Sequence, residues 1–576
     1  MADAGRPLPP WADELRRRYL SGEAWQFVLH GNVHDLVAQD GKLVPLPEFL
    51  CEVLLAPTKD LVLRYDVSSG VRVVKGPGAR VSGAAGTGAQ DGRIDELTAT
   101  RAPGRVLPAL ERLLLSADRI GAVLEYAETI APAAETSFAS DADRASVVAL
   151  HRWSMSPVLE EADNLVLVVT ETLADLHPRL VANPRTATLR LPLPDEAGRR
   201  EALRIVSPGL EDAFAARLTE LTAGLKLVQV KAVLEGIGAT GGGARAPGAA
   251  ALPREAQEAA LAEVARRKRE IIERECSGLV EFVEPKHDFS AVGGIEAVKA
   301  ELSAVAENLR EGRRARCPMG ILFTGPMGTG KTFVAEAFAR EARMPAVKLK
   351  NFRSKWVGAT EGNLERILAV VQAMGPVIVI IDEGDRTLGG EEGETDGGTS
   401  SRVIARLKEF MSDGSNRGRV LFLLMTNRPD KLDIDIKRAG RLDRKIPFFP
   451  PQTPEEVEPV LLAQLRRHRI PNAVEFPRDR AAVSAPLAGY SNAELEQVVL
   501  LAGERAGDQP ATAAHLAEAA RDFLPSRDRE MLEYMELVAV FEASSRRLLP
   551  TKWAELPADE LQARLLALRA RIGGRR

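Results

Sequence analysis

Cysteine is close to absent: Cys51, Cys276 and Cys317 are the three in 576 residues, far apart and without metal-ligand spacing. An odd, sparse set excludes a disulfide framework and suits a reducing compartment. Charge of one sign is not in excess either. Lys and Arg number 77 against 81 Asp and Glu, a formal charge of −4, so electrostatics gives no reason to make nucleic acid the main partner. Long hydrophobic runs are missing. The most apolar stretches, Val377 to Ile381 and Val420 to Met425, have strand length and fall well short of the roughly 20 residues that span a bilayer. The start, Met1 to Pro7, lacks the apolar core of a signal peptide. These absences predict a cytoplasmic protein without a membrane span.

What is present is an ordinary globular balance, 45% hydrophobic and 27% charged, over a length that demands several domains. Residues 76–92 are rich in Gly and Ala and read as a flexible insertion. Gly236 to Pro253 reads as a linker, because Gly and Ala cannot supply a core and Pro stops regular structure. A charged helix is predicted from Arg254 to Glu275. Beyond it, short apolar segments alternate with helical ones: Gly320 to Thr324, Ala346 to Leu349, Val377 to Ile381 and Val420 to Thr426. Continuous apolar runs mark strands buried on both faces, which predicts an α/β fold with a parallel sheet sandwiched by helices and a ligand at the strands' carboxyl ends. Past Ala506 the pattern is helical, with a start at Pro525-Ser526 and Met531, Met535, Val538 and Phe541 on one face.

Gly325-Pro-Met-Gly-Thr-Gly-Lys331-Thr332 fits the phosphate-loop pattern G-x-x-x-x-G-K-S/T. A chance glycine-rich turn would lack its context, a feeding strand Ile321-Leu-Phe323 and a following helix from Phe333 to Glu341. Gly325, Gly328 and Gly330 let the loop's backbone, with Pro326, Met327 and Thr329, turn N–H groups toward phosphate oxygens. The helix N-terminus adds partial positive charge, Lys331 neutralises the outer phosphates of ATP, and the Thr332 hydroxyl ligates Mg2+. Further on, Val377-Ile-Val-Ile-Ile-Asp382-Glu383 ends a buried strand in two carboxylates. Behind a phosphate loop, Asp382 is expected in the magnesium shell and Glu383 on the attacking water.

With these motifs, the stretch from Asp288 to Gly503 resembles an AAA ATPase module of the clade that holds katanin-like, proteasomal and membrane-fusion ATPases. Asp288-Phe-Ser-Ala-Val-Gly-Gly294 is similar to the segment that leads into that module and cups the adenine, which implicates Gly294. Val420 to Thr426 and Asn427 resemble its sensor strand, so Asn427 would help Glu383 orient water. Arg438-Ala-Gly-Arg441-Leu-Asp-Arg444 matches its arginine-finger segment, placing Arg438 and Arg441 on a neighbour's γ-phosphate; a solvated basic face is the alternative. Gly489-Tyr-Ser-Asn-Ala493 is similar to the lid segment at the nucleotide, which implicates Gly489 and Ala493, although Asn492 stands where Gly is usual. A finger supplied in trans implies a homo-oligomeric ring, in this family most often a hexamer. Lys355-Trp356-Val357-Gly358 matches an aromatic-aliphatic-Gly pore loop, so Trp356 and Val357 would grip an extended protein substrate; a core tryptophan is the alternative. The acidic run 389–398 falls at a second pore loop, or is a solvated surface loop.

The first half repeats this pattern in decayed form. Val166-Leu-Val-Val-Thr170-Glu171 resembles Leu421 to Asn427, and Leu191-Pro-Leu-Pro194 resembles Pro447 to Pro450, the final Pro in both standing 24 positions after the Thr. Val123-Leu-Glu125 corresponds to Ile380-Ile-Asp382, Thr222-Ala-Gly224 to Leu487-Ala-Gly489, and Phe27 to Asn32 to the start of the phosphate loop. No Gly-Lys-Thr follows Gly31; Tyr126 replaces the catalytic glutamate, Glu171 the sensor asparagine and Ala182 the first finger, while Arg185 survives. The reading is a degenerate AAA-like domain for assembly, docking or regulation, against an unrelated α/β domain. His30 and His34 have no visible partner cluster for a metal and read as a polar loop.

The expected layout is a degenerate domain over 1–236, a linker over 237–253, a connecting helix and lead-in over 254–287, a large α/β subdomain over 288–451, a helical lid over 452–508 and a C-terminal helical extension over 509–576. The expected activity is ATP hydrolysis coupled to remodelling, threading or disassembly of a protein or complex. The competing reading is a scaffold or assembly factor switched by slow nucleotide turnover. One decayed and one intact module also resembles accessory ATPases beside bacterial contractile injection machines. A helicase-like motor is disfavoured by the lack of a basic track.

Overall fold

The computed structural model describes residues 8–76, 94, 97–133, 140–240, 254–276, 278–350, 360–388, 399–476, 478–526 and 528–573. The chain divides into two units, Met1–Glu270 and Ile271–Arg576.

In the first unit the strands are β1 (Gln26–Gly31), β2 (Leu36–Gln39), β3 (Lys42–Pro45), β4 (Leu61–Asp66), β5 (Gly70–Lys75), β6 (Ile120–Leu124), β7 (Leu165–Val169) and β8 (Thr186–Leu191). Six of them form one sheet in the order β5-β4-β6-β7-β1-β8, parallel except for the β4–β5 hairpin. Successive residues point to opposite faces of a strand. Val28, Leu63, Leu124 and Val168 therefore join one core, and Phe27, Leu29, Val123 and Leu167 the other. Covering both faces is why these strands read as unbroken apolar runs rather than as alternation.

The second unit carries β9 (Val280–Val283), β10 (Gly320–Thr324), β11 (Ala346–Leu349), β12 (Val377–Ile381), β13 (Val420–Thr426) and β14 (Arg444–Pro447). Their order is β14-β10-β13-β12-β11-β9, with β9 alone antiparallel. The four strands expected from apolar runs appear with the expected bounds. β9 and β14 were not among them: both are edge strands, β9 interrupted by Glu281 and β14 opening on Arg444 and Lys445. Helices Pro454–Arg467, Asn492–Ala506 and Ala513–Asp522 form a separate lid core with Leu461, Leu465, Leu495, Val499 and Leu516.

Two expected boundaries move. The helix Leu227–Thr240 runs on past 236, because its Gly and Ala residues weaken a helix without forbidding it, and residues 241–253 lie outside those described. The lid extends beyond 508, because helix Ala513–Asp522 buries Leu516 and Ala519 in the lid core. The C-terminal extension then comprises helices Arg529–Glu542 and Ala558–Gly573, packed through Tyr534, Leu537, Trp553, Leu561 and Leu568. Met535 and Val538 are buried there as expected of that face, but Phe541 is 63% exposed.

Taken from the β8 and β14 edges, the two sheets have one spatial order: β8-β1-β7-β6-β4-β5 and β14-β10-β13-β12-β11-β9. They differ in where the antiparallel edge strand enters the chain, after β4 in one and before β10 in the other. The register makes the repeat residue-specific. Leu124 pairs Val168 as Ile381 pairs Leu424, so Glu125 and Tyr126 take the places of Asp382 and Glu383. Tyr126 and Glu383 even share a left-handed backbone, φ 52° and 49°. A Cβ on Gly31 would meet the Leu191 carbonyl at 2.7 Å, and one on Gly325 the Phe448 carbonyl at 2.1 Å. Leu191 thus answers to Phe448 rather than Pro447, and the equal spacing of 24 is one residue off at this strand.

Candidate nucleotide site

Between β10 and the helix Lys331–Ala342 the chain turns through three glycines in the left-handed region, Gly325 (φ 131°), Gly328 (76°) and Gly330 (87°). Only glycine adopts these angles without strain, so the turn curls its N–H groups inward. Lys331 is half-buried and donates to the loop's own Gly325 and Pro326 carbonyls at 2.9 and 2.7 Å. Burial pushes its ammonium down to about 8, against the pull of Asp382 and Asp385, which favour the charge. A cation so poorly hydrated gains most from an anion placed in the cradle. Thr329 is buried and donates to the Pro326 carbonyl at 2.9 Å, while Thr332 and Met327 are exposed on the first turn and the loop.

Adjacent strands carry the rest to the same sheet end. β13 lies between β10 and β12, with Thr324 opposite Thr426 and Ile381 opposite Leu424. Asp382, Glu383 and Asn427 therefore leave the sheet beside the loop. Asp382 accepts Glu383 N–H at 2.9 Å and pairs with Lys348 at 3.0 Å. Glu383 is exposed and pairs with Arg386 at 2.9 Å. Thr426 donates to Asp385 at 2.7 Å and accepts Arg428 N–H at 3.0 Å, which fixes the backbone on both sides of Asn427. The Asn427 Oδ1 is buried without a hydrogen-bond partner among the described residues. Such an acceptor is costly unless a donor meets it, and Asn427 follows β13, the strand beside β12 and its two carboxylates. The glycine cradle and the desolvated lysine fit a triphosphate, the orphaned oxygen fits a water that donates to it, and the Thr332 hydroxyl with the Asp382 carboxylate is an oxygen donor pair suited to Mg2+.

The lid packs on the loop, and the lead-in packs on the lid and on the phosphate-loop helix. Ala493 N–H donates to the Gly328 carbonyl at 3.0 Å, at the start of a helix capped by Ser491 and Glu494. Asn492 donates to the Thr329 carbonyl at 3.0 Å, a tie the more usual glycine could not make. Gly489 is exposed at φ 89° just before it. Gly293 and Gly294 lie against the lid helix, where a Cβ on Gly293 would fall 2.3 Å from the Pro459 carbonyl. His287, unremarked in the sequence, stacks on Phe333 at 3.7 Å and bonds its carbonyl at 2.8 Å, pinning the lead-in to the phosphate-loop helix. The two arginines differ. Arg438 is 71% exposed and pairs with Asp435 at 3.1 Å, whereas Arg441 is held by Ser412 Oγ at 2.6 Å and the Asp435 carbonyl at 2.7 Å. Trp356, Val357 and the acidic run 389–398 lie outside the described residues.

A family profile described as ATPase family associated with various cellular activities (AAA) matches residues 321–450, the span from β10 past β14. A second, described as AAA+ chaperone, N-terminal Rossmann-like domain, matches residues 2–192. This chain carries an AAA ATPase module behind an AAA+ chaperone N-terminal domain. The ATPase is 34% identical over 279 residues to ATP-dependent zinc metalloprotease FtsH 3 of Sphaerobacter thermophilus, covering 45% of its own chain and 55% of that one. It is 29% identical over 284 residues to the cell division cycle protein 48 homolog of Archaeoglobus fulgidus, covering 45% and 38%. With the ATPase family protein 2 homolog of Caenorhabditis elegans it shares 32% over 232 residues, 38% and 32% of the two chains. The chain thus spans about half the length of these relatives or less. Its 576 residues hold no His-Glu-x-x-His run, the zinc-binding helix motif of metalloproteases. No described helix is long and apolar enough to cross a membrane.

In the first unit of the ATPase, the equivalent site is filled from within. Asp35 stands as far after Gly31 as Thr329 after Gly325. Its buried carboxylate accepts the N–H groups of Leu227 and Val228, both at 2.9 Å, and the Asn32 amide at 2.7 Å. Leu227 opens the helix that answers to the lid helix of the intact module. An anion at a helix N-terminus is what a phosphate would be; here the chain supplies its own. Glu125 is nearly buried and held by the Arg64 guanidinium, Nη2 to Oε2 at 2.8 Å, as Asp382 is by Lys348. Tyr126 stacks on His34, and Arg185 lies over Trp25 and pairs with Glu160 at 3.7 Å.

Proposed function

We propose that this ATPase couples hydrolysis of ATP to remodelling, threading or disassembly of a protein substrate or complex. The carrying observation is the convergence of a glycine cradle, a desolvated Lys331, the Asp382–Glu383 pair and the unpartnered Asn427 Oδ1 at one sheet end. In this reading the loop N–H groups and Lys331 hold the phosphates, and Gly294, Gly489 and Ala493 border the base. Thr332 and Asp382 would hold Mg2+, which supplies charge neutralisation on the phosphates when bound. Glu383 takes a proton from water kept in line by Asn427, as oxygen bonds to the γ-phosphorus and the bond to ADP breaks. Arg438, exposed and lightly held, is the finger for a neighbouring copy, in a ring that the family resemblance makes hexameric. Two large apolar side chains in adjoining segments, Ile434 (71% exposed) and Phe541 (63%), support a face that meets another copy. Trp356 and Val357 would grip the substrate.

Glu383→Gln tests the chemistry: ATP binding within about twofold of wild type, and turnover lower by at least about a hundredfold. Wild-type turnover would remove Glu383 from the base's place. The second reading, a scaffold switched by slow turnover, draws on Lys348 and Arg386, which engage both site carboxylates on their own chain. Substrate proteins accelerate turnover in a remodelling engine and leave it unchanged in a switch.

A further inference from the structure

The helix Arg529–Glu542 reaches the segments on either side of the proposed trans arginine. Glu542, 9% exposed in its last turn, receives the Lys437 ammonium on Oε1 and that of Lys445 on Oε2 at 2.9 Å. Lys437 directly precedes Arg438, and Lys445 lies in β14, just beyond Arg441. The Lys437 ammonium also donates to the Pro429 carbonyl at 2.9 Å, on the turn after Asn427. Further back on the helix, the Tyr534 hydroxyl donates to Asp430 at 3.0 Å, and its ring lies 5.2 Å from the Arg428 guanidinium. Ser544 completes the attachment: its N–H donates to the Lys445 carbonyl, and its hydroxyl accepts Lys445 N–H, both at 3.1 Å.

We infer that Glu542 is a positioning residue for the trans arginine, fixing both ends of the finger segment against the sensor turn. A side chain as exposed as Arg438 has little to define its pose except the backbone beneath it. That backbone is held by one buried carboxylate shared between two ammoniums, and removing one partner of such a set leaves charge uncompensated. Misplacing a reacting group by about 1 Å can cost on the order of a hundredfold in rate. The C-terminal helix thereby sets how well one copy completes the next copy's pocket. This rests on Arg438 acting in trans.

The test is steady-state hydrolysis and ATP affinity of the full chain as wild type, Glu542→Gln, Arg438→Ala and the double variant. Glu542→Gln is expected to lower kcat by about ten- to a hundredfold, leave the ATP Kd within about twofold, and add nothing on top of Arg438→Ala. An unchanged kcat, a loss as large in the Arg438→Ala background, or a Kd that rises in step with kcat's fall overturns the inference. Wild-type turnover by Arg438→Ala overturns the trans reading and the inference with it; an impaired Arg438→Ala beside a normal Glu542→Gln overturns the inference alone. Should Glu542→Gln not fold, Tyr534→Phe removes one hydroxyl and keeps the ring. A severalfold lower kcat at unchanged Kd then supports the inference, and wild-type kcat overturns it.

Discussion

Lys331 shows how one side chain turns burial into affinity. Desolvation lowers its pKa to about 8, Asp382 and Asp385 oppose that, and a bound triphosphate raises it again. Because the free-state value lies below the bound-state one, binding strength is complete below the free-state value and is lost as pH rises through it. The ATP Kd is therefore expected to stay flat from about pH 6 to 8 and then rise by up to about tenfold per unit. Equilibrium binding across that range measures it, and a flat Kd to about pH 10 contradicts the role. Residues whose type alone states their chemistry were legible in the sequence: the loop glycines, Lys331, Asp382 and Glu383. Lys348, Asn492, His287 and Glu542 were not. Each acts through a partner far off in the chain; the lone Lys348 inside an apolar strand and Asn492 in the usual place of Gly gave the local signs.

Among elements, the helix Arg254–Glu275 carries an unfavourable residue. Lys268 is 9% exposed, and burial, aided by the charge of Arg199 and opposed by Glu220, takes its pKa to about 8. A depressed lysine penalises the folded state in full below that value, and the penalty fades as pH climbs toward the unfolded value of 10.5. Lys268→Met should stabilise the first unit by on the order of 2 kcal/mol near pH 7, with the gain vanishing above about pH 10. Thermal unfolding of the full chain at the two pH values checks this, and a destabilised variant at neutral pH refutes it. Strand runs were readable because burial on both faces leaves no polar interruption. The edge strands β9 and β14 escaped, being short and half-exposed, and the lid's third helix was assigned to the tail because only its packing through Leu516 and Ala519 reveals where it belongs.

At the scale of the molecule, one strand plan appears twice, once with the phosphate loop and once without. The repeat was visible in sequence as paired strand motifs, though one residue out of register at β8. What replaced the nucleotide was invisible, since Asp35 meets Leu227 and Val228 only through folding. A carboxylate seated at that helix N-terminus opposes a second anion. The account's central claim is therefore a single working pocket per chain, built on Gly325–Thr332. The direct measurement is the stoichiometry of ATP bound by the full-length Glu383→Gln chain, alone and with Lys331→Ala added. One ATP per chain, lost with Lys331→Ala, is the predicted result; two per chain, or one that survives Lys331→Ala, would contradict it.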